Sequence, residues 1–206
     1  MMDSRDLANE PTGDLTSLLG SRICHDLISP LGAIGNGVEL LTMSGAAASP
    51  EISLILQSVN SASARIRFFR VAFGAAGQGQ TIGRAEIMSI IDDVGRGGRV
   101  KTNWQGPPDA PRGAVKLAFL GILCMENALP WGGAINVAAS GSGWTVESDA
   151  ERIRVDPNIW SRLTGRPANT PLVANNVQFA LLPDEAKRQR RIVRLVIREK
   201  SITIRF

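Results

Sequence analysis

The chain has 206 residues, 44% of them hydrophobic and 20% charged, with a net charge of +4 and a pI near 9.7. That supplies enough apolar material for a core in one domain or two small ones. It contains no apolar run of about 18 residues, which excludes a membrane-spanning helix, and its polar start, "MMDSRDLANEPTGD", lacks the basic-then-apolar layout of a secretory signal.

Two helical patterns open the chain. In the first, Leu19, Ile23, Leu27, Leu31, Ile34, Val38 and Leu41 recur at spacings of three and four, with Asp14 or Thr16 as candidate cap. "SGAAASP" interrupts it, placing Ser49 as N-cap and Pro50 at the first position of a second helix. That helix carries Ile52, Ile55, Val59, Ala62, Ile66, Phe69 and Phe73 in a coiled-coil-like seam that ends at Gly74. Helices joined by so short a loop form an antiparallel hairpin over residues 14–75, behind a flexible stretch, 1–13. Continuous seams on both arms need a cover, and two chains pairing their hairpins into a four-helix bundle provide one, so a homodimer is expected, the alternative being a monomer whose C-terminal unit covers the seam.

After the linker-like "GAAGQGQ", residues 80–206 read as a second unit. "RAEIMSIIDDVGR" is a helix and "RVKTNWQG" a strand, and "PRGAVKLAFLGILCMENALPW" makes a strongly apolar helix. Strands are expected at "GAINVAAS", "GWTVESD" and "ERIRVD", short helices at "PNIWSRLTG" and "NNVQFALLPDEAKRQ", and one or two closing strands in "RIVRLVIREKSITIRF". The fold class is α+β, with helices on one face of a mixed sheet. Much of the positive charge lies in "KRQRRIVRLVIREK", read as the solvated face of a strand and not as a nucleic-acid site; aromatics total only 5%, leaving few stacking platforms for single strands. Cys24 and Cys124 stand far apart outside any C-x-x-C pair, as reduced core thiols of a cytoplasmic protein do. With one histidine beside them, they are too few for a metal site.

That histidine, His25, is the residue to explain. At about 100° per residue it falls roughly opposite the apolar stripe of the first helix, so it points to solvent. Ser21, Arg22, Ser29, Gly32, Asn36 and Glu39 share its arc, and small residues there let another backbone approach. Gly32, Gly35 and Gly37 each cost a helix about 1 kcal/mol, and Pro30 removes a helical hydrogen bond one turn beyond His25. Helix stability alone does not select this combination, which marks a functional surface.

"HDLISPL" resembles the H-box of histidine kinases at His25, Asp26, Ser29, Pro30 and Leu31. The hairpin resembles the dimerisation and phosphotransfer domain of those kinases. The resemblance implies that His25 is a phosphoacceptor and that Asp26 orients and activates its imidazole. It places Ser29 where some kinases position a water for dephosphorylation. The second unit resembles the kinase ATP-binding (Bergerat) fold without its nucleotide loops. Glu126 and Asn127 stand in a remnant of the N-box cut short by Pro130. "WTVESDAERIRVDPN" holds no Asp-x-Gly-x-Gly turn, and "GRPANTPLVANNVQFALL" no Gly-x-Gly.

A phosphohistidine carrier with a degenerate ATPase-like domain is similar to the ChpT-type histidine phosphotransferases. That likeness implies no bound cofactor and Mg²⁺ supplied by the receiver domain. Its implied donor is a receiver of a CckA-type hybrid kinase, and its implied acceptors are CtrA- and CpdR-type response regulators. Candidate receiver contacts are Arg22, Ile28, Gly32, Asn36 and Glu39 on the first helix and Arg65, Arg67 and Arg70 on the second. The residues alone also leave open a catalytically silent dimeric adaptor, a divergent histidine kinase, or nucleic-acid binding through the basic C-terminal strands.

Overall fold

A computed structural model describes residues 12–43, 50–141, 143–166 and 171–206. Helices α1 (Thr12–Met43) and α2 (Pro50–Ala72) form the expected antiparallel hairpin. Asp14 and Thr16 do not cap α1, because the helix already runs through both from Thr12. Ser49 lies outside the described residues.

The hairpin closes on small side chains. A Cβ on Gly20 would stand 3.4 Å from the Phe73 Cβ, and one on Gly35 3.5 Å from Val59. Cys24, Val38 and Val59 are buried in the same layer. The large apolar stripe read from the sequence is rotated away from this contact. Ile23, Leu27, Ile34 and Leu41 stay about half exposed on α1, as does Ile55 on α2. Small residues permit close helix approach, so the face that α2 covers is the small one and not the bulky one.

Beyond the hairpin lie β1 (Thr81–Gly83), α3 (Arg84–Gly95), β2 (Val100–Gln105), β3 (Asp109–Pro111), α4 (Arg112–Ala128), β4 (Gly133–Ser140) and β5 (Gly143–Asp149). Then come α5 (Pro157–Trp160) with a 3-10 turn at Ser161–Thr164, a second 3-10 turn at Ala174–Asn176, α6 (Gln178–Arg188), β6 (Arg194–Ile197) and β7 (Ser201–Arg205). Five strands form a mixed sheet in the order β2-β4-β5-β7-β6, parallel only between β2 and β4. β1 and β3 pair separately as a two-stranded antiparallel ribbon that the sequence reading missed, three residues being too few to show a period.

One expected strand is absent. "ERIRVD" runs irregularly, although Ile153 and Val155 alternate inward. β5 already has β4 and β7 on its two edges, so this segment finds no free ladder on the strand it follows. Its Arg154 N–H instead donates to the Ala128 carbonyl at the end of α4.

α4 is the centre of the core. Its residues Val115, Leu117, Ala118, Phe119, Leu120, Cys124 and Met125 are fully buried, because α2, α6 and the sheet enclose it. Gly121 lets it approach β5, where a Cβ would stand 3.0 Å from Val146. Phe68 of α2 stacks on Phe119 of α4 with ring centroids 4.5 Å apart. Val71 and Ala72 enter the same cluster, so hairpin and sheet share one hydrophobic core. Among the described residues, no helix is long and apolar enough to cross a membrane.

Candidate functional site

His25 stands on the outside of α1 with 83% of its side chain exposed. Its Nδ1 lies 3.2 Å from Oδ1 of Asp26. Consecutive helical residues do not face each other, so the contact requires the Asp26 side chain to wrap back toward the ring. An ionised carboxylate only accepts hydrogen bonds, so a hydrogen bond at this contact requires the tautomer with its proton on Nδ1, whose lone pair is on Nε2. Pro30 has no N–H to donate to the Asp26 carbonyl one turn back. The packing that sets Gly20 against Phe73 and Gly35 against Val59 places His25 level with Phe68 and Phe69. The imidazole is therefore carried where the hairpin joins the sheet unit.

The neighbours on α1 follow the helical phase. Ser29, Gly32, Asn36 and Glu39 are exposed, and Ile28 is half-buried. A Cβ on Gly32 would meet nothing within 4 Å, so no packing within the chain requires glycine there. The Arg22 side chain lies outside the described residues. Cys24 points the other way, buried against α2. Burial raises its thiol pKa, partly offset by Arg70, and burial raises that of Cys124 well above the usual range. Both thiols stay protonated and unreactive.

The three candidate arginines of α2 are not alike. Arg65 reaches across to Glu126 of α4 at 3.1 Å, and Arg67 to Asp93 of α3 at 2.8 Å and to Ser89 at 3.2 Å. Arg70 is exposed, and its main-chain carbonyl accepts from Arg112, whose guanidinium also binds the Ala75 carbonyl. These links tie the hairpin to the sheet unit. Sequence reading missed Arg112 and Glu126 in this role, since both partnerships span more than 35 residues and no local spacing encodes them.

Glu126 and Asn127 border a cleft of about 420 Å³ with Phe69, Phe73, Leu123 and Asn175. α4 stops at Ala128, just before Pro130. Among the described residues, no group of three or more His, Cys, Asp or Glu side chains could hold a metal ion.

The geometry has counterparts among known proteins. Residues 84–201 match the profile of the histidine phosphotransferase C-terminal domain family. The protein phosphotransferase ChpT of Brucella abortus (strain 2308) is 37% identical over 182 residues, covering 84% of this chain and 87% of its own. A solved bacterial phosphotransferase superposes over 100% of this chain and 97% of its own, with a TM-score of 0.66 and 27% identity. With a matched domain spanning more than half its length and a close relative covering most of the rest, the chain belongs to the ChpT-type histidine phosphotransferases.

Proposed function

We propose that His25 is the residue that carries the phosphoryl group, and that Asp26 fixes its reactive tautomer. One observation carries this reading: an imidazole 83% exposed on the outer face of α1 with its Nδ1 3.2 Å from a carboxylate oxygen. Nε2 attacks the phosphorus of a receiver aspartyl phosphate in line with the scissile bond. The N–P bond forms as the acyl O–P bond breaks, and the receiver carboxylate leaves as the anion. Nδ1 keeps its proton throughout, so the ring becomes a phosphoimidazolium whose positive charge faces Asp26. The reverse sequence discharges His25 onto a second receiver.

This chain supplies the nucleophile, its orientation and a docking face of Ile28, Gly32, Asn36 and Glu39, with Arg70 of α2 as a further contact; Arg22 is a contact on the sequence reading alone. Ser29 lies on the same face, where it would border the transferring group. Mg²⁺ and the charge-stabilising lysine come with the receiver. We take the donor to be a receiver of a CckA-type hybrid kinase and the acceptors to be CtrA- and CpdR-type regulators. We read the sheet unit as a degenerate Bergerat fold that binds no ATP. The missing glycine turns support that reading, as does Glu126, the acid of the N-box remnant, whose carboxylate is engaged by Arg65. The half-exposed apolar stripe of α1 supports a homodimer.

The test is transfer from a phosphorylated receiver. The wild-type chain should gain an acid-labile label and pass it on, and His25→Ala should gain none. Labelling that survives in His25→Ala would refute the assignment, and labelling from ATP alone would refute the reading of the sheet unit.

A further inference from the structure

The edge strand β6 carries a feature that phosphotransfer at His25 does not use. Between residues 187 and 200 stand seven basic side chains and a single acidic one. Along the outward face, Arg190, Ile192, Arg194, Val196 and Arg198 alternate, all exposed, with Ile192 at 75%. The intervening Val193 and Leu195 pack on the core. Among the described residues, no carboxylate pairs with Arg190, Arg194 or Arg198. Arg194 lies directly opposite Arg205 of β7, a like-charge cross-strand pair that opposes the fold.

Arg190 adds a second unfavourable element. It occupies the left-handed position after α6 with φ 54°, donating to the Lys187 carbonyl while Arg191 donates to that of Ala186. Glycine favours this cap, and arginine there is strained. Charges on an edge strand often act simply as a guard that repels other strands. A guard of that kind has no need of β-branched side chains exposed between the charges, nor of arginine at a glycine position.

The Arg198 N–H donates inward to Ser201. Ladder alternation then turns the N–H groups of Leu195 and Ile197 off the sheet, available to a further strand. We infer that β6 is a docking edge for an extended acidic segment of a partner protein, which adds a strand and sets its carboxylates against Arg190, Arg194 and Arg198. A second copy does not fit, since pairing would bring two arginine rows together. β6 is the last strand of the sheet, at the edge opposite β2, which α3 joins to the hairpin, so occupancy leaves His25 accessible.

The probe is a fluorescein-labelled peptide of four Glu-Val repeats, titrated against the full-length protein beside a block peptide of the same composition and a DNA duplex. The repeating peptide should bind saturably and slow amide exchange at Leu195 and Ile197 by about tenfold or more. Arg194→Glu/Arg198→Glu should weaken it about tenfold or more while transfer through His25 stays at the wild-type rate. Arg190→Gly should raise the melting temperature yet weaken the peptide, separating loss of binding from loss of fold. No saturable binding, equal binding of the block peptide without amide protection, or tighter binding of the duplex would each overturn the proposal.

Discussion

The side chains of His25 and Asp26 leave α1 about 100° apart, so their 3.2 Å contact is a choice of rotamer and not a consequence of the helix. Asp26→Asn removes the ionised acceptor and lets the ring proton exchange between nitrogens. Transfer should slow by roughly tenfold or more, with receiver binding little changed, as single-turnover kinetics against receiver concentration would reveal. Gly32 offers the converse separation. Nothing lies near its Cβ position, so Gly32→Ala should stabilise α1 by about 0.5–1 kcal/mol in thermal unfolding. The added methyl stands where a receiver backbone would approach, so transfer should fall while stability rises. Equal or faster transfer would remove Gly32 from the docking face. The outward phase of His25 was legible in the sequence because helical periodicity is local. The pairing of Arg65 with Glu126 was not, because 61 residues separate the partners and only tertiary packing brings them together.

At the scale of elements, α4 and α6 are joined by a buried charge knot. Lys116 reaches Glu185 at 3.2 Å, and Glu185 also accepts from Arg188 at 2.6 Å and from Gln189 at 2.8 Å. Burial opposes the Glu185 carboxylate, but the Gln189 hydrogen bond and the Lys116 and Arg188 charges outweigh it, so its pKa lies below the usual 4.5. Over that window the unfolded chain binds more protons than the folded one. The contribution to stability is therefore complete above about pH 4.5 and disappears as pH falls through the folded value. Glu185→Gln leaves Lys116 buried without its counter-charge, at an expected loss of about 3 kcal/mol at pH 7 in urea unfolding. That variant should also show a shallower fall in stability on acidification; an unaltered acid limb would assign it to other carboxylates. The strong strands β4 and β5 and the apolar α4 were legible because their patterns are long. "ERIRVD" shows the limit of that reading. Its alternation is real, yet a strand needs a neighbour, and β7 already occupies the edge of β5.

At the scale of the whole molecule, Phe68 stacked on Phe119, Arg65 on Glu126 and Arg67 on Asp93 fasten hairpin to sheet, and the shared core makes them one cooperative unit. The upper hairpin has no such cover. Ile34 and Leu41 on α1 are each at least 50% exposed and Ile55 on α2 47%, spaced along the stripes that the sequence marks as seams. Sinking each of these side chains into a partner hairpin would contribute about 1–2 kcal/mol, enough in sum for stable association. Sedimentation equilibrium of the wild-type chain should therefore give twice 22.0 kDa, and its melting temperature should rise with protein concentration. Ile34→Asp sets a charge in the middle of the seam, at a side chain half exposed to solvent in the isolated chain. It should yield a folded monomer whose melting no longer depends on concentration. His25 faces away from the stripe, so that monomer should still accept a phosphoryl group. A wild-type chain that stays monomeric at tens of micromolar would show that the stripe has another occupant.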